Sequence, residues 1–161
     1  MAESIRTHMD TLRSLAPELN TAIDDANALI KAANAILGEL NLGVSAQTYV
    51  SVGTIWEDED GLENSEDWYL AYGRIRGGSY HIHLLARTFK RVPDDDERNG
   101  FTWQVTGQEP FEWSTCPREQ RLQAIDRLPD LLEEIARELK DLIDKTAAAK
   151  TAAAEMLEDL Q

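Results

Sequence analysis

Apolar residues near both ends of the chain recur every three or four positions, which is the spacing of one face of a helix. The N-terminal seam consists of Ile5, Met9, Leu12, Ala16, Leu19, Ile23, Ala26, Ile30, Ala33, Leu37 and Leu40. The C-terminal seam consists of Ile125, Leu128, Leu132, Ile135, Leu139, Leu142, Thr146, Ala149, Ala153, Met156 and Leu160. Such heptad seams predict long helices over residues 1–42 and 117–161, with a C-terminal end that can fray.

Each predicted helical region contains one proline that leaves the apolar phase unchanged, Pro17 in the first and Pro129 in the second. Proline fits the first turn of a helix and disrupts the interior. At each position we therefore expect either a helix start or a kink in a longer helix. Gly43 is the predicted stop of the N-terminal helix.

The central part of the chain has the composition and alternation of β-strands. Residues 44–56 predict a strand with a bulge at Gly53, residues 68–89 predict a hairpin, and residues 101–106 predict a fourth strand. Residues 107–117 predict a loop that crosses the body.

These elements predict a single α+β domain over residues 1–161. An antiparallel four-stranded meander occupies residues 43–116, and the terminal helices pack on one sheet face and on each other. The alternative is a protruding antiparallel coiled coil with a small sheet at one end.

Gly77 and Gly78 predict a two-residue turn between the hairpin strands, because glycine readily adopts the positive φ of such turns. This register places Tyr72 opposite His83. The predicted core face carries Tyr69, Ala71, Ile75, Tyr80, Ile82, Leu84 and Ala86. The predicted outer face carries Trp68, Leu70, Tyr72, Arg74, Arg76, His81, His83, Leu85, Arg87 and Phe89. A slip of one residue would exchange the two faces.

The mixture of cations and aromatics on the outer face predicts a binding surface. Its candidate residues are Trp68, Tyr72, Arg74, Arg76, His81, His83 and Arg87. These residue types carry binding energy at protein interfaces, and they also suit a small anion such as a nucleotide, clamped by arginine and stacked on an aromatic ring. In the alternative interpretation the arginines pair with neighbouring acidic loops and the histidines form local hydrogen bonds.

Two histidines separated by one residue on a strand could begin a metal site, because His81 and His83 point to the same face. A metal site needs further ligands, and the expected neighbour Arg74 would repel a cation. We therefore predict no metal here. The acidic stretch 57–67 also departs from the ligand order of a calcium loop.

The chain of 161 residues has 30 acidic and 16 basic side chains and a net charge of -14. This charge argues against direct binding to nucleic acid or an anionic membrane, and it favours a protein partner with a basic surface. The candidate acidic surface comprises Glu57, Asp58, Glu59, Asp60, Asp94, Asp95, Asp96, Glu133, Glu134, Glu138 and Asp141.

The single cysteine, Cys116, excludes an internal disulfide and favours a cytoplasmic protein. No apolar run has transmembrane length. Phosphate-binding loops, nucleophile elbows and paired-cysteine zinc motifs are all absent from the sequence, which favours a non-enzymatic protein without a cofactor.

Three functional hypotheses follow. The first is an acidic interaction protein that binds and inhibits a protein partner, such as a DNA mimic encoded by a phage or mobile element. The second is a small-anion binding domain or enzyme that uses the outer hairpin face. The third is a chaperone or assembly subunit that acts through the helical seams, which could also form a homodimer.

Overall fold

The computed structural model describes residues 2–93 and 100–158 and contains one four-stranded antiparallel sheet with helices before and after it. The elements are α1 (Ala2–Leu40), β1 (Ala46–Glu57), β2 (Glu63–Arg74), β3 (Tyr80–Pro93), β4 (Phe101–Phe111), a 3-10 turn (Trp113–Thr115), α2 (Arg118–Ile125) and α3 (Leu128–Glu158). The strands follow one another across the sheet in the order β1-β2-β3-β4. The predicted α+β meander is therefore confirmed.

The two prolines occupy different places in their helices. Pro17 lies inside α1, and the Thr21 hydroxyl donates to its carbonyl at 3.0 Å. Pro129 is the second residue of α3, where a missing N–H leaves no intrahelical hydrogen bond unmade. Positive φ angles at Asn41 and Gly43 turn the chain out of α1 towards β1.

The helices cover one face of the sheet. α1 packs on β3 and on α2, whereas α3 packs on β1 and β2. The buried residues that form this core are Ala26, Ile30, Leu37, Val44, Val50, Trp68, Leu70, Tyr72, Ile82, Leu84, Ala86, Trp113, Cys116, Ala124, Leu131 and Ile135. As predicted, the N- and C-terminal helical regions pack on one sheet face and meet each other.

Polar side chains of α1 join it to the rest of the core. The Asn27 side-chain oxygen accepts from the Trp113 indole at 2.8 Å and from the Arg121 guanidinium at 3.1 Å. The Asn34 oxygen accepts from the backbone N–H of Ile82 at 2.6 Å. Because β4 ends opposite Leu84, this N–H lies beyond the last strand pair, and α1 supplies its acceptor.

The predicted hairpin register is wrong by one residue. Tyr72 pairs with Ile82, and Arg74 pairs with Tyr80, so the connection spans residues 75–79. The tight turn has positive φ at Arg76 and Gly77, and the N–H of Gly78 donates to the carbonyl of Ile75 at 2.9 Å. The turn is thus centred one residue earlier than predicted, with Ser79 as an additional residue.

The shift reverses the faces of β2 and leaves those of β3 as predicted. Trp68, Leu70 and Tyr72 point into the core, whereas Ala71 and Gly73 lie on the outer face. Large apolar side chains gain more from burial than alanine or glycine. The core therefore selects the face of β2 with the larger apolar area.

Further details differ from the prediction. The hairpin strands extend beyond the predicted residues 68–89, since β2 begins at Glu63 and β3 ends at Pro93. β4 continues to Phe111 instead of ending near residue 106, because residues 107–111 pair with β3. In α3, Leu131 is buried and Leu132 is exposed, so the predicted seam is wrong at this position. α2 ends at Ile125 and α3 begins at Leu128, so the spacing of buried residues in α3 does not continue that of α2.

Candidate binding surfaces

The outer face of β3 carries Arg87 near the middle of the sheet. Its guanidinium donates to the side-chain oxygens of Gln47 at 3.0 Å and Gln108 at 3.2 Å, and it lies 4.8 Å from the centre of the Tyr69 ring. Because β1 and β4 supply these amides, Arg87 spans the sheet from one edge strand to the other. Among the described residues, its hydrogen-bond partners are these neutral amides and not the acidic side chains of residues 57–67.

His83 lies on the same face and is buried. Its Nδ1 is 3.1 Å from the carbonyl oxygen of His81. Because a carbonyl oxygen can only accept a hydrogen bond, Nδ1 carries the proton, and Nε2 of the neutral ring keeps its lone pair. Burial lowers the pKa of His83, because the charged ring would lose its hydration. His83 lines a shallow depression of about 280 Å³ together with Ser45, Gly73 and Gln108.

His81 has local partners on both ring nitrogens. Its Nε2 is 3.1 Å from the Glu112 carboxylate, and its Nδ1 is 2.9 Å from the carbonyl of Ser79. The rings of His81 and His83 are 5.5 Å apart. Among the described residues, no three His, Cys, Asp or Glu side chains are grouped so that they could hold a metal ion.

The structure separates the predicted binding residues. Trp68 and Tyr72 are buried in the core, where their rings pack on Phe111 and Tyr80. The guanidinium of Arg74 lies 4.7 Å from the centre of the Tyr80 ring. The prediction that Trp68, Tyr72 and Arg74 lie on the outer face is therefore wrong, because it depended on a two-residue turn.

Arg76 lies in the turn itself. Of the seven candidates, the outer sheet face thus brings together only His81, His83 and Arg87. A small anion on this face would find no ring of Trp68 or Tyr72 to stack on.

The predicted acidic surface is divided between the β1–β2 turn and α3. Asp58 is 2.7 Å from the Lys90 ammonium and accepts the N–H of Leu62, and these hydrogen bonds hold its pKa well below the usual range. Lys90 in turn has a raised pKa because it donates to Asp58. Asp58 therefore stabilises the turn, whereas Glu57, Glu59 and Asp60 are exposed beside it.

Most carboxylates of the predicted acidic surface on α3 are exposed. Glu133, Glu138 and Asp141 are exposed, and Glu134 pairs with Arg137. Asp94, Asp95 and Asp96 lie outside the described residues.

The outer sheet face carries an apolar patch that the sequence did not predict. Val52 and Ile55 project from β1, and Phe101, Trp103 and Val105 project from β4, each about half exposed. Between them, Val52, Ile55, Phe89 and Trp103 line a depression of about 380 Å³. The alternation of residues 101–105 predicted the strand, but the sequence could not show that the described helices leave this side of the sheet uncovered.

Besides this patch on the sheet, each long helix has an uncovered apolar surface. Residues 5–22 of α1 and 140–156 of α3 are exposed throughout, although both stretches continue the heptad seams. Leu12 retains 59% of its surface, and Leu142 retains 49%. Leu12, Leu15, Ala16, Leu19 and Ala22 line a shallow groove along α1. We call these two stretches the projecting segments.

The seams of the projecting segments are not covered by each other, since both remain exposed. The predicted coiled-coil alternative is therefore correct in that the helices protrude and wrong in that they do not form a pair.

No protein-family model, curated protein or solved structure matches this chain. Within residues 2–93 and 100–158, no helix has the length and apolar character needed to cross a bilayer.

Proposed function

We propose that this protein is a non-enzymatic binding protein, of the assembly-subunit or chaperone type, which docks a protein partner on its projecting segments. The observation that supports the proposal is the exposure of Ile5, Met9, Leu12, Leu15 and Leu19 along one stretch of α1. Leaving a large apolar side chain in water instead of burying it forgoes about 1.5–3 kcal/mol. A contiguous stripe of this kind is typical of a surface that a partner covers.

The charges beside the seams describe the partner further. On a helical wheel, Arg6 and Arg13 flank the α1 seam, whereas Asp10 and Glu18 point away from it. In α3, Lys145 and Lys150 flank the seam in the same way. A partner helix with an apolar stripe and flanking carboxylates would complement both seams, in the manner of a helix laid in a groove.

This partner differs from the basic one that the net charge favours. The exposed carboxylates of α3 support a second candidate, an acidic inhibitor of a basic protein. The two functions respond differently to substitution. The double variant Glu133→Gln with Glu138→Gln would lower the affinity for a basic partner and leave a partner on the seams bound.

The small-anion alternative has less support. Arg87 donates to two glutamines, and the predicted stacking residues are buried on the opposite face. A shift of the melting temperature by ATP or inorganic phosphate, abolished by Arg87→Gln, would restore it.

The proposed docking surface can be tested by photo-cross-linking in the source cells. A photoreactive amino acid at Leu12 or Leu142 is expected to yield the same adduct. The matched control is Ser14, which lies on the same exposed segment about 200° around the helix from Leu12. Equal adduct yields from Leu12 and Ser14 would contradict the proposal.

A double variant, Leu12→Lys with Leu142→Lys, provides the second test. Because both side chains are exposed, we expect an unchanged melting temperature and loss of the partner. Retention of the partner by the folded variant would also contradict the proposal.

A further inference from the structure

β4 is an edge strand with no described element beyond it. It pairs with β3 on one side, and residues 101–106 are exposed. In such a strand, every second residue directs its backbone N–H and C=O towards the free side, where another strand can pair. β4 therefore offers unpaired backbone groups beside the apolar side chains of Phe101, Trp103 and Val105.

The free edge of β4 lacks the features that usually prevent strand pairing. Residues 101–108 contain no charged side chain and no proline. The first irregularity occurs at Thr106, where the ladder with β3 shifts by one residue. The regular stretch available for pairing is thus Phe101–Val105.

The opposite edge of the sheet is less suitable. β1 shows two register shifts, one after Tyr49 and one after Val52, and it packs against α3. Bulges and a covering helix both limit the addition of another strand. The two edges thus differ in what they can accept.

The sequence of β4 is complementary to itself in the antiparallel sense. When a two-fold axis passes through Trp103, each Phe101 faces Val105 of the other copy, each Thr102 faces Gln104, and the two Trp103 residues face each other. Aromatic pairs and pairs of an aromatic with a β-branched residue are favourable across antiparallel strands. The polar residues of the two copies likewise share the other face.

We infer that β4 pairs with β4 of a second copy of this chain, which joins two sheets into one of eight strands around an axis at Trp103. Residues 101–105 are self-complementary, as an interface on a two-fold axis must be. A second copy is therefore the partner strand that fits this edge. Each copy has a net charge of -14, and the uncharged edge brings the two together without a like-charged pair at the contact.

The outer apolar patches of the two copies would then adjoin, since Trp103 lies both in the patch and on the axis. The paired stretch is short compared with a standard interface of about 800 Å² per partner. We therefore expect a dimer that dissociates on dilution and becomes tighter as added salt screens the net charge.

Sedimentation velocity over a micromolar to millimolar concentration series tests the inference with three proteins. The wild type is expected to shift from monomer to dimer. Trp103→Lys places two ammonium groups at the axis and removes the aromatic pair, so we expect self-association to weaken about tenfold or more. Val52→Lys is the matched control, because it adds the same charge to the same patch on the β1 edge, at similar exposure (51% against 47%). It should dimerise like the wild type.

A cysteine at the axis tests the register and does not depend on the lysine variant folding. Facing residues of antiparallel strands have Cα atoms about 4.5–5.5 Å apart, within the range that a disulfide spans. Trp103→Cys should therefore form a covalent dimer under mild oxidation, and Val52→Cys should not. The native Cys116 is buried with its pKa raised to about 11, so it stays protonated and unreactive.

Several results would overturn the inference. These are a wild type that stays monomeric throughout the series, a Trp103→Lys variant that associates as tightly as the wild type, equal loss of association in Val52→Lys, and a Trp103→Cys variant that forms no covalent dimer. The double variant Leu12→Lys with Leu142→Lys should still dimerise, which separates this surface from the proposed docking surface on the helices.

Discussion

The two halves of α1 have the same apolar spacing and opposite surroundings. In residues 23–40, Ile23, Ala26, Ile30 and Leu37 are buried, and the last three belong to the core that the sheet shares with the helices. In residues 5–22, every seam side chain is exposed. A heptad seam therefore identifies the face of a helix that is suited to contact, but it does not say whether the contact lies within the chain or with another molecule.

The difference follows from the length of α1. The helix Ala2–Leu40 has 39 residues and is about 58 Å long at 1.5 Å per residue. It packs on β3 and α2, and the buried side chains described in it all lie between Ile23 and Leu37. Residues 5–22 extend beyond these contacts.

The largest expected effect distinguishes the packed half from the projecting half. Ile30→Ala should destabilise the protein by about 2–5 kcal/mol, because it removes a buried side chain and leaves a cavity. Leu12→Ala should change stability by less than about 0.5 kcal/mol, since Leu12 is exposed. Urea unfolding of both variants measures the two values. Similar losses would mean that the projecting half is packed in solution, and the comparison would fail.

A second prediction concerns the boundary between the halves and uses two asparagines of α1. Asn27→Ala leaves the Trp113 indole, which is buried, without its acceptor, and should destabilise the protein by about 1–3 kcal/mol. Asn20→Ala removes the exposed hydrogen bond from Arg118 and should have an effect below about 0.5 kcal/mol. If Asn20→Ala is as damaging as Asn27→Ala, the packed region extends further towards the N-terminus than the structure places it.

A third prediction uses helix propensity. Gly38→Ala should stabilise the protein by about 0.5–1 kcal/mol, because an added Cβ meets no atom within 4 Å and alanine favours the helix. In the projecting half, Ser14→Ala favours a helical segment that can unfold locally while the rest of the protein stays folded. We therefore expect no change in the melting temperature. A clear gain in melting temperature from Ser14→Ala would show that the two halves unfold together.

The smallest expected effect is a pH dependence within the packed region. The pKa of His83 is lower in the folded protein than its ordinary value of 6.5, mainly through burial. As the pH falls through 6.5, the unfolded chain gains this proton before the folded protein does, so stability decreases towards acid. His83→Asn should make the free energy of unfolding less dependent on pH. We expect the loss of stability between about pH 7 and pH 5.5 to become smaller by less than about 1 kcal/mol. An unchanged slope would mean that His83 is hydrated and contributes no pH dependence.

Local patterns predicted most of the elements. The heptad seams predicted both long helices, and Gly53 marked the β1 bulge, where the ladder shifts between Val52 and Ile55. The residue composition predicted β1, and the alternation of apolar and polar residues predicted the other three strands. These predictions succeeded because the spacing of side chains on a helix or strand is a property of the backbone alone.

The candidate site was predicted less well. On β3, Tyr80, Ile82 and Leu84 were correctly assigned to the core, because they alternate with the polar residues His81 and His83. On β2, large residues occur on both faces, and the assignment depended on a glycine pair whose turn begins one residue earlier. Trp68 and Tyr72 were therefore expected on the binding surface and lie in the core instead.

The sequence by itself determined the helices, the strands and their order along the chain, because each depends on residues close together in the chain. It also determined the net charge, which is a sum over all residues. Only the tertiary structure decided which face of β2 is buried, where the helices extend beyond the sheet, and which sheet edge is free. These features depend on the competition between surfaces for a limited area of contact. The exposed seams of α1 and α3 and the free edge of β4 are the surfaces that this competition leaves uncovered.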